Sequence, residues 1–137
     1  MADTLKLEII TPEEKSFSED VDFVTLPGVE GEMGIYPKHV SLMTQVKHGE
    51  IAVKSGGKEF FLAIGEGFAK ITGDNVAIMT DMAIKSDAID EAAAEEARKQ
   101  AEARLAEKLS DEETAAVQAA LAKSLAQLHV KRRRHPR

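Results

Sequence analysis

Cysteine and tryptophan are absent from the 137-residue chain, and one tyrosine with five phenylalanines makes up the whole aromatic complement. Without cysteine there is no disulfide framework, no thiolate metal site and no cysteine nucleophile. Long apolar runs are missing too. The opening MADTLKLEII has neither a basic leader nor a hydrophobic core segment, so neither secretion nor membrane spanning is expected and the chain reads as a soluble intracellular protein. Catalytic patterns are equally scarce: no serine lies on a nucleophile-elbow motif, no carboxylates pair convincingly, and nothing around His39 or His48 resembles a metal triad. An enzyme in its own right is not expected.

What the chain does contain divides near residue 86. Up to about residue 85 apolar residues recur with a period of two, interrupted every eight to twelve residues by turn chemistry. LKLEI alternates through Leu5, Leu7 and Ile9; VDFVTL places Val21 and Phe23 on one side; HVSLMTQV alternates through Val40, Leu42, Thr44 and Val46. Ser55-Gly56-Gly57-Lys58 and Thr72-Gly73-Asp74-Asn75 are hairpin signals, because glycine and asparagine accept positive φ. The pattern predicts eight to ten short strands in an antiparallel β-sandwich or flattened barrel.

From 86 to 130 glycine, proline and aromatics disappear, and alanine, glutamate, lysine and arginine dominate. The spacing predicts a first helix from about Asp90 to Leu109. Ser110 with Glu113 forms a capping-box signature opening a second helix that runs to about His129. The two form a hairpin in which Val117, Leu121, Leu125 and Leu128 face mainly Ala93, Ala97, Ala101 and Leu105. Alanine faces bury little area, so the mutual packing is weak, while the helices themselves have high intrinsic propensity. Such a hairpin suits either a movable arm or a permanently docked appendage.

Two features remain. Residues 26–39, LPGVEGEMGIYPKH, hold Gly28, Gly31 and Gly34, a spacing that is not the dinucleotide fingerprint and does not join a parallel strand to a helix. A shaped, stiff loop held against a partner fits better than a phosphate cradle. Gly65-Glu66-Gly67 reads as a bulge or tight turn leading into the strand from Phe68. The chain is acidic, with 24 acidic against 18 basic residues, yet Lys131-Arg132-Arg133-Arg134-His135-Pro136-Arg137 contains no acid. Nucleic acid is disfavoured as its partner, since aromatic platforms are few and the remaining surface is acidic. A helix end complementing its macrodipole and a contact for an acidic protein both fit.

The ordered set LPG, Gly31, GIYPKH, Leu42 and Gly49, then GEGF before Lys70-Ile71, then Asp74-Asn75-Val76, then the alanine-rich helices from Ile89-Asp90, resembles the epsilon subunit of bacterial F-type rotary ATP synthases over essentially the whole chain. The resemblance implies a central-stalk rotor subunit with no catalysis of its own and no cofactor or metal. It divides the chain into a sandwich, 1–85, docking on the gamma subunit and the c-subunit ring, and a regulatory hairpin with basic tail, 86–137. By the same resemblance Glu30, Gly31, Glu32 and Met33, supported by His39, face the c ring. The hairpin packs on the sandwich when folded down; extended along gamma it reaches the alpha/beta catalytic ring and obstructs ATP hydrolysis, with Lys131, Arg132, Arg133 and Arg134 at its tip. The resemblance further implies a proton-translocating complex, with membrane association at the cytoplasmic face of the bacterial plasma membrane expected only through it. Members that bind ATP on the folded hairpin carry Asp-x-x-Arg-Ala, whereas this chain has Asp90-Glu91-Ala92-Ala93-Ala94, so ATP binding is not expected. The competing reading is a stand-alone sandwich adaptor or ligand-binding protein with a fixed hairpin.

Overall fold

Ten strands form one continuous sheet in the computed structural model, which describes residues 4–12 and 15–134, the side chains of 15, 16, 39, 40 and 134 excepted. The strands are β1 (Leu5–Ile10), β2 (Lys15–Val21), β3 (Phe23–Gly28), β4 (Gly31–Ile35), β5 (His39–Val46), β6 (Gly49–Ser55), β7 (Lys58–Ile64), β8 (Gly67–Gly73), β9 (Asn75–Thr80) and β10 (Ala83–Lys85). Their order is β10-β7-β6-β3-β5-β8-β9-β1-β2, with β4 paired to β3. The two ends of this sheet fold toward each other: the rings of Phe17 on β2 and Phe60 on β7 are 5.6 Å apart. This closure makes the expected flattened sandwich. One pair departs from the antiparallel expectation, since β1 runs parallel to β9. The two strands lie far apart in the chain, so no tight turn dictates opposite directions.

Alternation works as expected on β1, where Leu5, Leu7 and Ile9 are fully buried. It fails at Val21 and Phe23. Val21 is buried at the end of β2, but on β3 Val24 and Leu26 point inward, leaving Phe23 half-buried. The chain passes from one strand to the next at Asp22, and the face reverses there. On β5 Val46 is buried while Leu42 stays exposed, beside a register shift between His39 and Leu42. The hairpin signals are realised: Gly56 and Gly57 have φ of 59° and 79° between β6 and β7, and Gly73 has φ of 57° between β8 and β9.

After β10 a 3₁₀ turn, Ser86–Ala88, leads to helix α1 (Glu91–Leu105), whose N-cap Asp90 accepts from the Ala93 N–H at 3.0 Å. Helix α2 (Asp111–Arg134) starts at a complete capping box: the Glu113 N–H donates to Ser110 Oγ at 3.1 Å, and the Ser110 N–H donates to Glu113 Oε1 at 3.3 Å. Helix α1 stops at Leu105, short of the expected Leu109, and three further expectations change. Helix α2 continues past His129 through the basic residues, which are good helix formers and suit the negative end of the dipole. The inner face of α1 is Ala94, Arg98 and Ala101, whereas Ala93 and Ala97 are exposed. On α2 Val117 and Leu128 are buried as expected, but Leu125 is exposed and Ala126 and Val130 are buried instead.

Candidate docking surfaces and the arm

Most of the 26–39 stretch is strand rather than loop. Residues 26–28 belong to β3 and 31–35 to β4, and Gly28 faces Gly31 across a two-residue turn of Val29 and Glu30. Gly31 has φ of 131°, a conformation that L side chains rarely adopt. The turn is braced from β5 and its end: the Lys47 N–H donates to the Pro27 carbonyl at 2.9 Å, and the Val29 N–H donates to the Gln45 carbonyl at 3.3 Å. Glu30, Gly31 and Glu32 are exposed on this stiff tip, whereas Met33 is half-buried against the core. The expected contact set therefore divides, three residues facing out and one facing in. Lys38 has φ of 64° and donates its N–H to Asp74 Oδ1 at 2.9 Å; His39 then opens β5, its side chain lying outside the described set.

A second surface was not anticipated. Ile10, Met79 and Phe68 stand side by side in register on β1, β9 and β8, followed by Gln45 on β5, with Met43 two residues before it. Ile10, Met79, Phe68 and Met43 are 37%, 40%, 47% and 62% exposed. Phe68 thus lies outside the core, on the outward face of β8. The signal was the alternation Phe68, Ala69, Lys70, Ile71, whose inward members Ala69 and Ile71 are the small one and the aliphatic one.

The arm lies on β6 and β7. Val130 of α2, Ile89 and Ala63 form a small buried cluster against which Phe61, Met82 and Ile84 pack. Three described basic residues, Lys131, Arg132 and Arg133, have partners within the chain. Arg132 donates to Glu91 Oε1 at 3.1 Å and to Glu95 Oε2 at 2.9 Å, Arg133 lies 3.9 Å from Glu50, and Lys131 Nζ donates to the Ser86 carbonyl at 3.4 Å. The Arg134 side chain and residues 135–137 lie outside the described set. Glu95 also pairs with Arg98, and hydrogen bonds from Arg98 and then Arg132 hold its carboxyl down at about 2. The capping contact from Ser110 likewise lowers Glu113. Between the β3–β4 tip and α2 runs a cleft of about 380 Å³ whose lining includes Glu32, His48, Glu50, His129 and Arg133.

Among the described residues no three His, Asp or Glu side chains are grouped to hold a metal ion, and no helix is long and apolar enough to cross a membrane. The position where an ATP-binding hairpin would present arginine is Ala93, on the outer side of α1. The described chain is thus a β-sandwich with a braced β3–β4 turn and an exposed apolar row, on which a two-helix hairpin lies.

The comparisons agree. A family model described as ATP synthase, Delta/Epsilon chain, beta-sandwich domain matches residues 4–86, and the long alpha-helix domain of the same chain matches 87–132. A Dehalococcoides mccartyi protein named ATP synthase epsilon chain is 44% identical over 135 residues, covering 96% of each chain. A Laribacter hongkongensis protein of the same name is 36% identical, covering 96% of this chain and 99% of its own. Among solved structures, a chain of the Euglena gracilis mitochondrial ATP synthase, described as OSCP/F1/c-ring in rotational state 1, superposes with a TM-score of 0.73 at 26% identity. That match covers 92% of this chain and 79% of the other. A Tetrahymena thermophila mitochondrial ATP synthase chain, from a central stalk/c-ring structure, shares the fold at a TM-score of 0.57 and 12% identity, covering 93% of this chain and 96% of its own. The chain belongs to the delta/epsilon chain family of ATP synthases and is an epsilon-type subunit of the central stalk, not the catalytic subunit.

Proposed function

We propose that this subunit couples rotation of the c-subunit ring to ATP synthesis in the catalytic head, and that it limits ATP hydrolysis through its helical arm. The observation that carries the coupling role is the exposed row Ile10, Met79, Phe68 with Met43, because a soluble monomer rarely presents contiguous large apolar side chains without a partner. In this reading the row docks on the gamma subunit. The braced tip bearing Glu30, Gly31 and Glu32 meets the polar loops of the c ring, with Met33 fixing the tip from inside and His39 supporting it.

The 1–85 sandwich is then the docking unit and 86–137 the regulatory unit. Lys131, Arg132, Arg133 and Arg134 engage acidic loops of the alpha/beta ring when the arm extends. Attachment to the cytoplasmic face of the membrane is peripheral, through a proton-translocating complex, and the chain brings no catalytic group of its own.

Reconstitution tests the docking role. Phe68→Asp with Met79→Asp changes only exposed positions, so the chain is expected to fold but to lose retention with gamma by about tenfold or more, since buried apolar anchors dominate interfaces. Retention at the wild-type level would assign the apolar row no role in docking. Glu32→Lys should leave gamma binding intact and weaken the hold on the c ring.

A further inference from the structure

The Gly65-Glu66-Gly67 connection has a use that docking does not explain. Its neighbour is the turn between β9 and β10, which carries Asp81. The Gly65 N–H donates to the Met82 carbonyl at 3.0 Å, and Thr80 Oγ1 donates within reach of both the Glu66 carbonyl at 3.1 Å and the Met82 carbonyl at 3.2 Å. The Asp81 carboxylate occupies the space of a missing side chain: an ideal Cβ on Gly65 would lie 1.9 Å from Asp81 Oδ1. Its other oxygen, Oδ2, is 3.2 Å from Lys123 Nζ on α2.

A second contact lies ten residues further along α2, about 15 Å at the helical rise. There Arg133 approaches Glu50 of β6, whose side chain is only 13% exposed. A carboxylate so withdrawn from water gains more from a nearby cation than a surface one does. Between these two points α2 buries Ala126, Leu128 and Val130. The apolar part of the arm's seat is small, and a charge pair brackets each end.

We propose that Asp81 is a preformed catch for the arm. The Gly65-Glu66 connection fixes its carboxylate, Lys123 engages it, and the Glu50–Arg133 pair closes the far end. The inference rests on the reading of α1 and α2 as a movable arm. It adds that the docked state is selected by charge at named sandwich residues, and that undocking releases Lys123 and Arg133 to an acidic partner.

The cysteine-free chain allows a direct test on the isolated full-length protein. Spin labels at Lys70→Cys and Gln118→Cys, both on exposed positions, report sandwich-to-arm distance. Asp81→Asn with Glu50→Gln is expected to raise the separated population about three- to tenfold. Raising salt from about 0.1 M to about 1 M should act the same way on the unmodified catch. Lys123→Gln, which leaves the sandwich untouched, should give part of the shift. Gly65→Ala should also shift the population, although it changes no charge, because it displaces the carboxylate. Unchanged distances in Lys123→Gln and in the double neutral variant at both salt concentrations would overturn the catch and leave the apolar cluster as the tether. A population shift in the isolated chain with unaltered hydrolysis by the assembled enzyme would keep the catch and remove the arm's braking role.

Discussion

At Gly67 the backbone of the neighbouring strand β9 leaves no room for a side chain. A Cβ on Gly67 would lie 1.8 Å from the Met79 carbonyl oxygen, and Gly67 pairs with Thr80 across β8 and β9. Backbone cannot rotate aside as a side chain can, so Gly67→Ala should lower stability by about 2 kcal/mol or more and the Tm by about 5–10 °C. Gly73→Asn is the contrasting case, with φ of 57° and open space around it, and should melt near the wild-type temperature. At Glu95 the prediction concerns pH. Arg98 first, then Arg132, depresses its carboxyl from 4.5 to about 2 in the folded chain. A depressed carboxyl contributes stability that is present above its unfolded value and lost as pH falls through the folded one. The α1–α2 contact should therefore be constant above pH about 5 and loosen between about 4.5 and 2. Glu95→Gln should remove that part of an acid titration followed by label distances between the helices.

Elements were legible where local chemistry decides them. Strand alternation on β1, the glycine turns and the Ser110–Glu113 cap all depend on residues close in sequence. The phase of α1 was not legible, because with alanine at 92, 93, 94, 97 and 101 no face is marked by hydrophobicity. Its rotation follows instead from the Asp90 cap and from Ile89, which is anchored in the small cluster with Ala63 and Val130. Helix α2 was misread for another reason: it packs against both α1 and the sandwich, so its buried positions do not fall on one stripe. That two-sided packing bears on truncation. The main core, from Leu5 to Ile78, contains no residue of either helix, so a chain ending after Lys85 is expected to fold. It would uncover Phe61, Ala63, Met82 and Ile84, which the arm covers. The fragment should give a cooperative melt but self-associate with rising concentration in sedimentation. A fragment with no melting transition would make the arm part of the folding unit.

For the whole molecule the proposed movement of the arm raises the question of what the basic end does in each state. The charge imbalance was visible in the sequence, but its partners were not, since Glu50, Asp81, Glu91 and Glu95 reach α2 only through the fold. In the docked arm Arg133 lies near Glu50 of the sandwich and Arg132 of α2 pairs with Glu91 and Glu95 of α1, so an extension that also parts the two helices replaces one set of ion pairs with another. Removing the cations then weakens both states, whereas removing the carboxylates weakens only the docked one. Two variants of the assembled enzyme should behave differently. Arg132→Ala with Arg133→Ala should change ATP hydrolysis by less than about twofold, because its two effects oppose each other. Glu50→Gln with Asp81→Asn should lower hydrolysis several-fold, because the arm spends more time extended while its cations remain. Salt separates the cases further. Each exposed pair is worth only about 0–1 kcal/mol and is screened as the Debye length falls from about 10 Å at 0.1 M to about 3 Å at 1 M. Wild-type hydrolysis should respond weakly to salt, since both states lose attraction together, while in the carboxylate variant hydrolysis should recover as salt loosens the extended contact alone. If the arginine variant instead raises hydrolysis as strongly as the carboxylate variant lowers it, the arginines serve mainly the extended state, and their docked pairs contribute little to the balance.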